Sequence, residues 1–492
     1  MQKNSFLAFD LGASSGRAIL GTLENGKLEL SEVHRFINRM QRVNGHYFWN
    51  IFSLFEELKA GLSKCILEFG VQPLSVAVDT WGVDFVHIDR NGMILSLPYA
   101  YRDSRTDSTM EELFRIIPRE EIYRQTGIQF MQFNSLFQLY SMVRERNPLL
   151  EVTDKILFMP DALNYLFSGS ACTEFSIAST SQMIRPGRCT WQTELLEKAG
   201  IPASILGEII LPGTVIGQLT SEVAEETGSK PIPVIAVAGH DTASAIASVP
   251  AAGVGFAYIS SGTWSLMGIE SPEPIISPLT ESMNFTNEGG VEGTTRFLKN
   301  IMGMWLIQEC RRCWSREVNY SWSEMVGLAE EAEPFKFLID PDKSCFLNPG
   351  NMPRAVSESS TDTEGRGPQT HAEIIRCIYD SLALKYRYTL EQIRRVSDRP
   401  VEQIHIIGGG GNNHFLNQLT ANVTGLPVVA GPVEATATGN ILMQARAMGL
   451  VGSLDEMRQI VRDSFGLITF MPEGDGLCEE VYRRFCKLVE AD

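Results

Sequence analysis

The sequence predicts an α/β protein made of two domains with a cleft between them. A chain of 492 residues is too long for a single hydrophobic core and should divide into two or more domains. Strand and helix patterns alternate along it, which is typical of α/β folds. A strand, turn, strand pattern also occurs twice, as SFLAFDLGASSGRAILGTL at the start and as GVGFAYISSGTWSLMGIE past Pro250. This duplication indicates a boundary near residues 244–253, and we expect domains at 1–245 and 246–492.

The first half has the predicted order β-β-β-α-β. Three strand patterns open it, SFLAFDLG, RAILGTL and KLELSEVHRF, and residues 24–26 give a tight-turn signal between the last two. A helix follows over FSLFEELKAGLSKCILEFG, with an apolar side that includes Phe52, Phe55 and Phe69. LSVAVDTWG then has the pattern of a buried strand, ahead of a hairpin around residues 89–92. Later segments add the helix LFQLYSMVRER and the strand PVIAVAG.

The second half continues the alternation after its own strand, turn, strand unit. In order, the patterns predict the helix HAEIIRCIYDSLALKYRYTLEQIRRV, the strand EQIHII, the helix NHFLNQLTANVTG, the strand LPVVAG and the helix EATATGNILMQARAMG. Residues 356–370, VSESSTDTEGRGPQT, are polar and contain Gly and Pro. We expect them to form an exposed loop.

Composition and charge exclude several classes of protein. A formal charge of −17 opposes broad affinity for nucleic acid or for an anionic membrane. No apolar run approaches the roughly 18 residues of a membrane helix, and the N-terminus enters a strand pattern too soon for a signal peptide, so we expect a cytoplasmic protein. Nine cysteines without regular spacing favour reduced thiols. Cys310 and Cys313 lie in a helical pattern and lack the partners of a zinc site.

The stretch VIAVAGHDTASAIAS, residues 234–248, places an ionisable pair between a strand pattern and a helix pattern. Asp and Thr are ordinary helix N-caps, and a cap needs no catalytic role. In open α/β sheets, however, ligands bind at the carboxyl ends of strands, and Gly239 lacks a side chain that would block their approach. Asp241 is therefore a candidate for chemistry, with a helix cap as the alternative.

The glycine-rich turn in FDLGASSGRAIL is a second candidate. Residues 12–16 match G-x-S-x-G, but a nucleophile elbow needs a helix after the turn, and here a hairpin follows. Residues 21–28 fail as a Walker A loop because they also lie in a hairpin and because Leu28 replaces the required Ser or Thr. The turn can still cradle phosphates with amides and hydroxyls, and Asp10 before it suits hydrated Mg²⁺. The equivalent SSGTW turn at 260–264 favours phosphate binding over the alternative, a hairpin with a capping Asp.

A third glycine cluster, Gly408 to Gly411, follows the strand IHII and would let a planar ring approach the backbone. It is not a dinucleotide G-x-G-x-x-G motif, because no ribose-binding acid follows at the expected distance. The cluster alone is equally consistent with a simple strand end.

Together, several segments closely resemble the FGGY carbohydrate kinases, the family of glycerokinase and xylulokinase, and in particular its branch acting on L-rhamnulose. The resemblance covers nearly the whole chain in order, and RFLKNIMGMWLIQECRR is its stretch most specific to that branch. The segments that carry it are DLGASSGR, VAVDTWGVDF, GHDTASA, SSGTWSL, RFLKNIMGMWLIQECRR and IIGGGGNN with the LNQLTAN and PVVAGPVEATATGN that follow.

The resemblance implies two domains of the actin and ribonuclease H-like ATPase fold, with sugar and ATP meeting in the cleft. It implies that Asp241 is the general base that accepts the proton of the sugar hydroxyl. The sugar pocket would be lined by Gly82, His240, Asp241, Thr242 and Asn300. ATP would be bound by Ala13, Ser14, Ser15, Gly16, Arg17, Thr263, Gln308 and Gly410, with Asp10 toward the metal. Ala13 stands where many relatives have Thr, so one hydroxyl contact is missing from the first phosphate loop.

The implied activity is transfer of the γ-phosphoryl group of ATP, with Mg²⁺, to the 1-hydroxyl of a ketose such as L-rhamnulose. The alternatives are a kinase for another ketose or polyol, such as L-fuculose, and an actin-like ATPase module that needs no sugar. A sugar-responsive regulator on the same scaffold would need a basic DNA-binding segment, and none is evident. We expect small-molecule substrates, no nucleic acid or membrane partner, and a monomer or small homo-oligomer.

Overall fold

The computed structural model describes residues 3–347, 349–474 and 479–490. The chain divides into two compact units, and neither is continuous in sequence. The first unit consists of residues 1–252, 270–297 and 435–465, and the second of residues 253–269, 298–434 and 466–492. The expected domains at 1–245 and 246–492 describe the two halves of the chain and stay a prediction.

The strands are short, and most of them belong to two large sheets. In chain order they are β1 Asn4–Leu11, β2 Ser15–Glu24, β3 Lys27–Ile37, β4 Gln41–Val43, β5 His46–Phe48, β6 Val76–Thr80, β7 Phe85–Ile88, β8 Lys155–Phe158, β9 Thr173–Glu174, β10 Ile209–Ile210, β11 Thr214–Gln218, β12 Pro233–Ala236, β13 Phe256–Ser261, β14 Trp264–Ser271, β15 Thr286–Gly289, β16 Thr295–Met302, β17 Gln403–Ile407, β18 Val428–Ala430 and β19 Ile468–Phe470.

The α-helices range from single turns to one of 26 residues. In chain order they are α1 Ile51–Leu67, α2 Thr109–Phe114, α3 Arg119–Thr126, α4 Ser135–Arg144, α5 Leu149–Val152, α6 Met159–Ser168, α7 Phe175–Ser179, α8 Thr193–Lys198, α9 Ser221–Thr227, α10 Asp241–Ala247, α11 Pro278–Ser282, α12 Trp305–Trp314, α13 Trp322–Glu331, α14 Met352–Glu364, α15 His371–Val396, α16 His414–Thr424, α17 Ala435–Ala447, α18 Leu454–Ser464 and α19 Glu479–Glu490. Within the described residues, none of them combines the length and apolarity needed to cross a membrane.

Six strands of the first unit form one mixed sheet in the order β11-β12-β6-β1-β2-β3. β6 is parallel to both β1 and β12. Alternate residues of β1 point to opposite faces, so Leu7 and Phe9 lie in one hydrophobic cluster and Phe6 and Ala8 in another. The sheet is therefore covered on both faces, and the carboxyl ends of β1, β6 and β12 point in the same direction.

The predicted hairpin at the start of the chain is confirmed. β1 and β2 are antiparallel and joined by a tight turn, with Asp10 directly opposite Arg17. β2 and β3 are joined through Asn25 and Gly26, whose φ angles of 55° and 74° are the left-handed values that a two-residue hairpin turn requires. The hairpin therefore fixes which side chain faces Asp10.

Helix α1 confirms the predicted helix but not all of its predicted apolar side. Phe52 is 51% exposed and Phe69 is 43% exposed, whereas Phe55 packs partly buried against the core. Phe52 comes one residue after a buried position, which turns it by about 100° around the helix, and Phe69 lies beyond the helix end. The buried side consists of Ile51, Leu54, Leu58, Gly61, Leu62 and Cys65.

In the second unit, strands β16, β14, β13, β17, β18 and β19 lie side by side in that order. β13 and β14 form the expected antiparallel hairpin, with Ser261 opposite Ser265. β13 is also parallel to β17, just as β1 is parallel to β6 in the first unit. The repeated strand, turn, strand pattern therefore marks the same arrangement in both units.

The expectation of an exposed loop over residues 356–370 is wrong for residues 356–364, which continue α14. The side chain of Asn351 caps the start of this helix, and Gly365, with φ of 72°, ends it. Val356 and Ser360 are fully buried. Capping and burial of one side thus outweigh the modest helix propensity of the Ser and Thr residues.

Gly439 marks a close approach between α17 and α10. A Cβ atom at this position would lie 1.8 Å from the backbone oxygen of Ser244, so a helix would have to move. We expect Gly439→Ala to lower the free energy of unfolding by about 1–3 kcal/mol, because overpacking in a close-packed interior costs this much. Urea denaturation of the purified variant measures the loss.

Gly327→Ala is the matched control. Gly327 lies within α13, and in the part of the chain that the structure describes no atom outside its chain neighbours and its own helix backbone lies within 4 Å of an added Cβ. Since Ala is a better helix former than Gly, this variant should be stabilised by up to about 1 kcal/mol. Equal stability of Gly439→Ala and Gly327→Ala would contradict the close approach.

Candidate active site

Three aspartates stand where neighbouring strands of the first sheet end. Asp10 of β1 and Asp79 of β6 are register partners in a parallel pair. After β12, His240 forms a parallel bridge with Thr80, so Asp241 follows at the same end of the sheet. Burial raises the pKa of Asp79 well above its ordinary value, and the nearby carboxylates of Asp10 and Asp241 raise it further. The strand ends therefore bring together acidic groups that are far apart in the sequence.

Asp241 has one fixed oxygen and one open oxygen. It is the first residue of α10, with His240 rather than Asp241 at the N-cap position. Thr242 donates two hydrogen bonds to Asp241 Oδ1, from its backbone N–H and from its hydroxyl. Oδ2 accepts no hydrogen bond from any described residue, and the side chain is 31% exposed. Burial raises the pKa of Asp241 and Asp10 adds to the rise, whereas His240 and Thr242 oppose it, so the open oxygen is suited to accept a proton.

His240 is held by a buried ion pair. Its Nδ1 lies 3.2 Å from Glu288 Oε2 and 3.2 Å from Arg296 Nη2, which are 3.0 Å from each other. Burial alone would raise the pKa of Glu288, but the charges of Arg296 and His240 bring it below its ordinary value. The other ring nitrogen, Nε2, faces Asp241 Oδ1 at 3.4 Å. The ion pair thus orients the ring beside Asp241.

Asp79 is a fully buried carboxylate held by helix α17. Asn440 Nδ2 donates to Asp79 Oδ2 at 2.6 Å. Gln444, one turn later, donates to Asn440 Oδ1 at 2.8 Å and to the carbonyl of Leu7 in β1 at 3.1 Å. Asp79 Oδ1 has no hydrogen-bond partner among the described residues. A buried carboxylate oxygen without a protein partner is a typical position for an ion or an ordered water.

Asp84 binds two tryptophans and donates its backbone N–H to the carbonyl of Gly82, a candidate sugar-binding residue, at 2.9 Å. Its Oδ2 accepts hydrogen bonds from Trp49 Nε1 at 2.7 Å and from Trp81 Nε1 at 3.0 Å. Val83, which follows Gly82, has a φ of 68°, a left-handed value that is strained for a β-branched residue. Burial raises the pKa of Asp84 to about 6, although its hydrogen bonds oppose the rise. This network holds the strained turn in place.

The raised pKa of Asp84 makes a testable contribution to stability. Between the ordinary Asp value of 3.8 and about 6, the folded protein binds more protons at this site than the unfolded chain does. The contribution is therefore largest below the ordinary value of 3.8 and is lost as the pH rises through 6. We expect the free energy of unfolding of the wild type, relative to Asp84→Asn, to fall by about 2–3 kcal/mol from pH 4 to pH 7, nearly all of it below pH 6. Urea denaturation at the two pH values measures it.

Asp89→Asn is the control for this dependence. Asp89 is partly exposed, and hydrogen bonds from the backbone of Met93, Asn91 and Gly92 lower its pKa. Its contribution to stability therefore has the opposite sign and is lost as the pH falls. If the free energy of unfolding depended on pH in the same way in the wild type and in Asp84→Asn, the prediction of a raised pKa for Asp84 would be wrong.

The predicted phosphate loop, residues 12–16, consists of the tight turn of residues 12–14 and the first two residues of β2. Its backbone closes with a hydrogen bond of 2.9 Å from Gly12 N–H to the carbonyl of Ser15. Arg17 Nη2 donates to Asp10 Oδ2 at 2.6 Å across the ladder. The turn thus has a cation and a carboxylate at its base. Its partly or fully exposed residues include Ala13, Ser14 and Ser15, whereas Gly16 is buried.

Thr263 and Gln308 belong to the second unit and are connected through the start of α12. Thr263 is in the β13–β14 turn, and its carbonyl accepts a hydrogen bond of 3.1 Å from the N–H of Trp305, the first residue of α12. Gln308 lies one turn further along the same helix and lines a cavity of about 250 Å³. The other residues lining this cavity are Arg311, Arg312, Ser315, Asn319 and Trp322.

The remaining two candidates also belong to the second unit. Asn300 lies in β16 and is half-buried. Gly410 lies after β17, where an added Cβ would be 2.0 Å from Ser261 Oγ. The absence of a side chain at Gly410 therefore leaves room for Ser261 at the end of β13. The expected place of Gly410 beside the nucleotide stays a prediction.

Two family models match consecutive parts of the chain. The N-terminal domain of the FGGY family of carbohydrate kinases matches residues 5–247, and the C-terminal domain of the same family matches residues 257–448. The chain belongs to the FGGY family of carbohydrate kinases.

Curated members of this family are similar to the chain over nearly its whole length. A protein named rhamnulokinase from Bacteroides thetaiotaomicron is 48% identical over 483 residues, which are 98% of this chain and 99% of that protein. The rhamnulokinase of Bacillus subtilis is 42% identical over 468 residues, 95% of each chain. A crystal structure of gluconate kinase from Lactobacillus acidophilus matches with a TM-score of 0.81 and 15% identity, over 100% of this chain and 98% of that one. The expected fold class, two domains of the actin and ribonuclease H-like type, is confirmed.

As an FGGY carbohydrate kinase, the protein is an enzyme that uses ATP and a sugar. Oxygen ligands suit the Mg²⁺ that accompanies ATP, and the first unit offers Asp10 together with the unpartnered Oδ1 of the buried Asp79. Among the described residues, no group of three or more His, Cys, Asp or Glu side chains is spaced to hold a metal. An ion bound by one or two carboxylates, water and phosphate oxygens needs no such group. The residues present therefore fit Mg²⁺.

Sequence reasoning missed several residues of this candidate site. Asp79 had the same signal as Asp10, an acidic residue at the end of an apolar strand, and could have been found by it. Glu288, Arg296 and Asn440 have no local signal, because they come from a strand, its neighbour and a distant helix. Their contacts exist only once these segments have packed together.

Proposed function

We propose that this enzyme transfers the γ-phosphoryl group of ATP to the 1-hydroxyl of L-rhamnulose, giving L-rhamnulose 1-phosphate and ADP. The observation that carries the proposal is that relatives 48% and 42% identical over nearly the whole chain are named rhamnulokinase. The open oxygen of Asp241 supports it, because phosphorylation of a hydroxyl requires a group that accepts its proton.

Asp241 acts as the general base in this proposal. Thr242 holds Oδ1, so Oδ2 is the oxygen that meets the sugar hydroxyl. The imidazole of His240, fixed by Glu288 and Arg296, lies against the same carboxylate and binds the sugar. Gly82, Thr242 and Asn300 complete the proposed sugar contacts. Since phosphoryl transfer needs little covalent help, positioning and charge supply most of the rate enhancement.

In this proposal Arg17 binds the phosphate oxygens of ATP and Asp10 holds the Mg²⁺ that accompanies them. In the free protein they form an ion pair at 2.6 Å. Phosphate oxygens compete with Asp10 for the guanidinium, so nucleotide binding frees the carboxylate. Asp10, with Asp79 behind it, would hold Mg²⁺, which when bound neutralises charge on the phosphates. The remaining proposed ATP contacts are Ala13, Ser14, Ser15, Gly16, Thr263, Gln308 and Gly410.

We also propose that the enzyme works in the cytoplasm in the catabolism of L-rhamnose, as a monomer or small homo-oligomer. The charge of −17 supports small-molecule substrates over nucleic acid or an anionic membrane surface.

The test is ADP release with Mg²⁺ and ATP against L-rhamnulose, L-fuculose, L-ribulose, D-xylulose, glycerol and no sugar. We expect the highest kcat/KM with L-rhamnulose. The ketoses differ in hydroxyl stereochemistry and substituents, and a pocket that fits one of them binds its transition state more tightly than those of the others. A higher kcat/KM for another sugar would show that this sugar, and not L-rhamnulose, is the preferred substrate. ADP release that does not depend on any sugar would favour the ATPase alternative.

A further inference from the structure

The backbone turn before Asp241 is held by another buried carboxylate. Gly239 N–H donates to Glu174 Oε2 at 2.9 Å, and His240 N–H donates to Ser176 Oγ at 3.2 Å. From the other side, Thr80 N–H donates to the Gly239 carbonyl at 2.9 Å. The peptide group between Gly239 and His240, one residue before Asp241, is thus fixed by partners on both sides.

Glu174 binds more donors than a helix cap needs. It is 1% exposed and precedes α7, whose first amides, from Ser176 and Ile177, donate to its carboxylate at 2.8 and 3.1 Å. Ser176 Oγ also donates to Glu174 Oε2 at 2.6 Å. The additional bond from Gly239, 65 residues away in the sequence, contributes nothing to capping α7. It connects the start of α7 to the end of the β12 segment.

A glycine is required at position 239 because the Glu174 carboxylate leaves no room for a side chain there. An added Cβ would be 3.1 Å from Glu174 Oε2 and 3.2 Å from Pro160 Cγ, tighter than ordinary contacts. The expectation that this glycine leaves room for a ligand is therefore wrong in its reason. The space next to Gly239 is filled by the protein groups that fix the turn.

We propose that Glu174, acting together with Ser176, is a positioning residue that fixes the Gly239–His240 turn and thereby aims Asp241 at the sugar hydroxyl. This inference rests on the proposed function, in which Asp241 is the general base. Glu174 does not touch the substrate in this proposal. It acts through two backbone N–H groups, so that Asp241 keeps its orientation while α10 and β12 fluctuate.

Glu174→Gln is the main test. Gln has nearly the same shape, but one of its two terminal atoms is an NH₂ group that cannot accept a hydrogen bond. In one orientation this NH₂ faces Ser176 N–H, which donates to Oε1, and in the other it faces the donors to Oε2, which include Gly239 N–H. Either orientation leaves a buried N–H opposite an NH₂ group, so the side chain is displaced from the place where it holds the turn. We expect kcat for L-rhamnulose to fall by about 10- to 100-fold, because a small displacement of a catalytic group has effects of this size. KM for ATP should stay unchanged, since the phosphate loop is untouched. Ser176→Ala, which removes the acceptor of His240 N–H, should lower kcat in the same way and serves if Glu174→Gln does not fold.

Thr220→Ala is the matched control for loss of a cap. Thr220 caps the short helix α9 of the first unit by accepting from Val223 N–H, and it belongs to no proposed site. A capping role alone predicts that Glu174→Gln behaves like Thr220→Ala, with a lower Tm and an unchanged kcat. Activity is compared at a temperature where circular dichroism shows all variants folded.

A double variant with Asp241→Asn separates positioning from general damage. If Glu174 acts through Asp241, adding Glu174→Gln to Asp241→Asn leaves the residual rate of Asp241→Asn unchanged. Independent, multiplicative losses would overturn the inference, as would a wild-type kcat in both Glu174→Gln and Ser176→Ala. Failure of the proposed function is read separately, from a wild type that does not phosphorylate L-rhamnulose or an Asp241→Asn variant of full activity, and either result overturns the inference as well.

Discussion

Asp241→Asn should lower kcat by about 10²- to 10⁴-fold, the usual contribution of a general base. Asn keeps the volume of the side chain, and its Oδ1 still accepts from the Thr242 N–H. The group left facing the sugar is then an amide NH₂, which cannot accept the proton of the sugar hydroxyl. ATP binding should remain close to that of the wild type, because the phosphate loop and Arg17 are unchanged.

The measurement is steady-state kinetics with L-rhamnulose, together with ATP affinity from calorimetry. Asp455→Asn is the control, since Asp455 also lies in the first turn of a helix of the first unit but is exposed. The pH profile adds a second readout. Burial raises the pKa of Asp241, and only the ionised form is a base, so the wild-type kcat/KM should fall as the pH is lowered through that raised pKa. A near wild-type rate in Asp241→Asn would leave Asp241 without a catalytic role.

Arg296→Leu should lower the free energy of unfolding by about 3–5 kcal/mol, the cost of removing one partner of a buried ion pair. Arg296 is fully buried, lies 3.0 Å from Glu288 Oε2 and donates from Nε to the carbonyl of Gly289 at 2.9 Å. Without the guanidinium, the Glu288 carboxylate is left buried beside His240 alone. The ring of His240 also loses a contact, so kcat should fall together with stability.

Urea denaturation of Arg296→Leu and of the double variant Glu288→Gln with Arg296→Leu tests this explanation. The double variant should recover much of the loss, because it no longer buries an unpaired charge. Arg354→Gln is the matched control, since it breaks an ion pair with Glu358 whose side chains are 75% and 57% exposed. Exposed pairs contribute about 0–1 kcal/mol. A similar small loss in Arg296→Leu and Arg354→Gln would contradict a stabilising role for the buried pair.

Local patterns in the sequence were sufficient for much of the fold. The alternation of apolar residues predicted β1, β2 and β3, and the left-handed turn at Asn25 and Gly26 was encoded in those two residues. The same reasoning found the β13–β14 hairpin and long helices such as α15. It failed over residues 356–364, because capping by Asn351 and burial of Val356 outweigh weak helix propensity.

The candidate site divides in the same way. Asp10 and Asp241 were identifiable because each lies near the end of an apolar strand pattern, and the strand end is where an open α/β sheet binds ligands. The sequence could not indicate which oxygen of Asp241 is open, since that depends on the hydrogen bonds made by Thr242. The sequence also suggested that Gly239 lacks a side chain to admit a ligand, whereas Glu174 and Pro160 occupy the space that a side chain would fill.

What the sequence determined by itself is the set of elements and the carboxylates at their ends, because propensity, periodicity and turn geometry act between residues close in the chain. Tertiary structure alone decided how those carboxylates are held: Asn440 reaches Asp79 across 361 residues, and Glu174 reaches Gly239 across 65. Such bonds form only when distant elements pack together, and buried polar groups that find partners there leave no periodic pattern in the sequence.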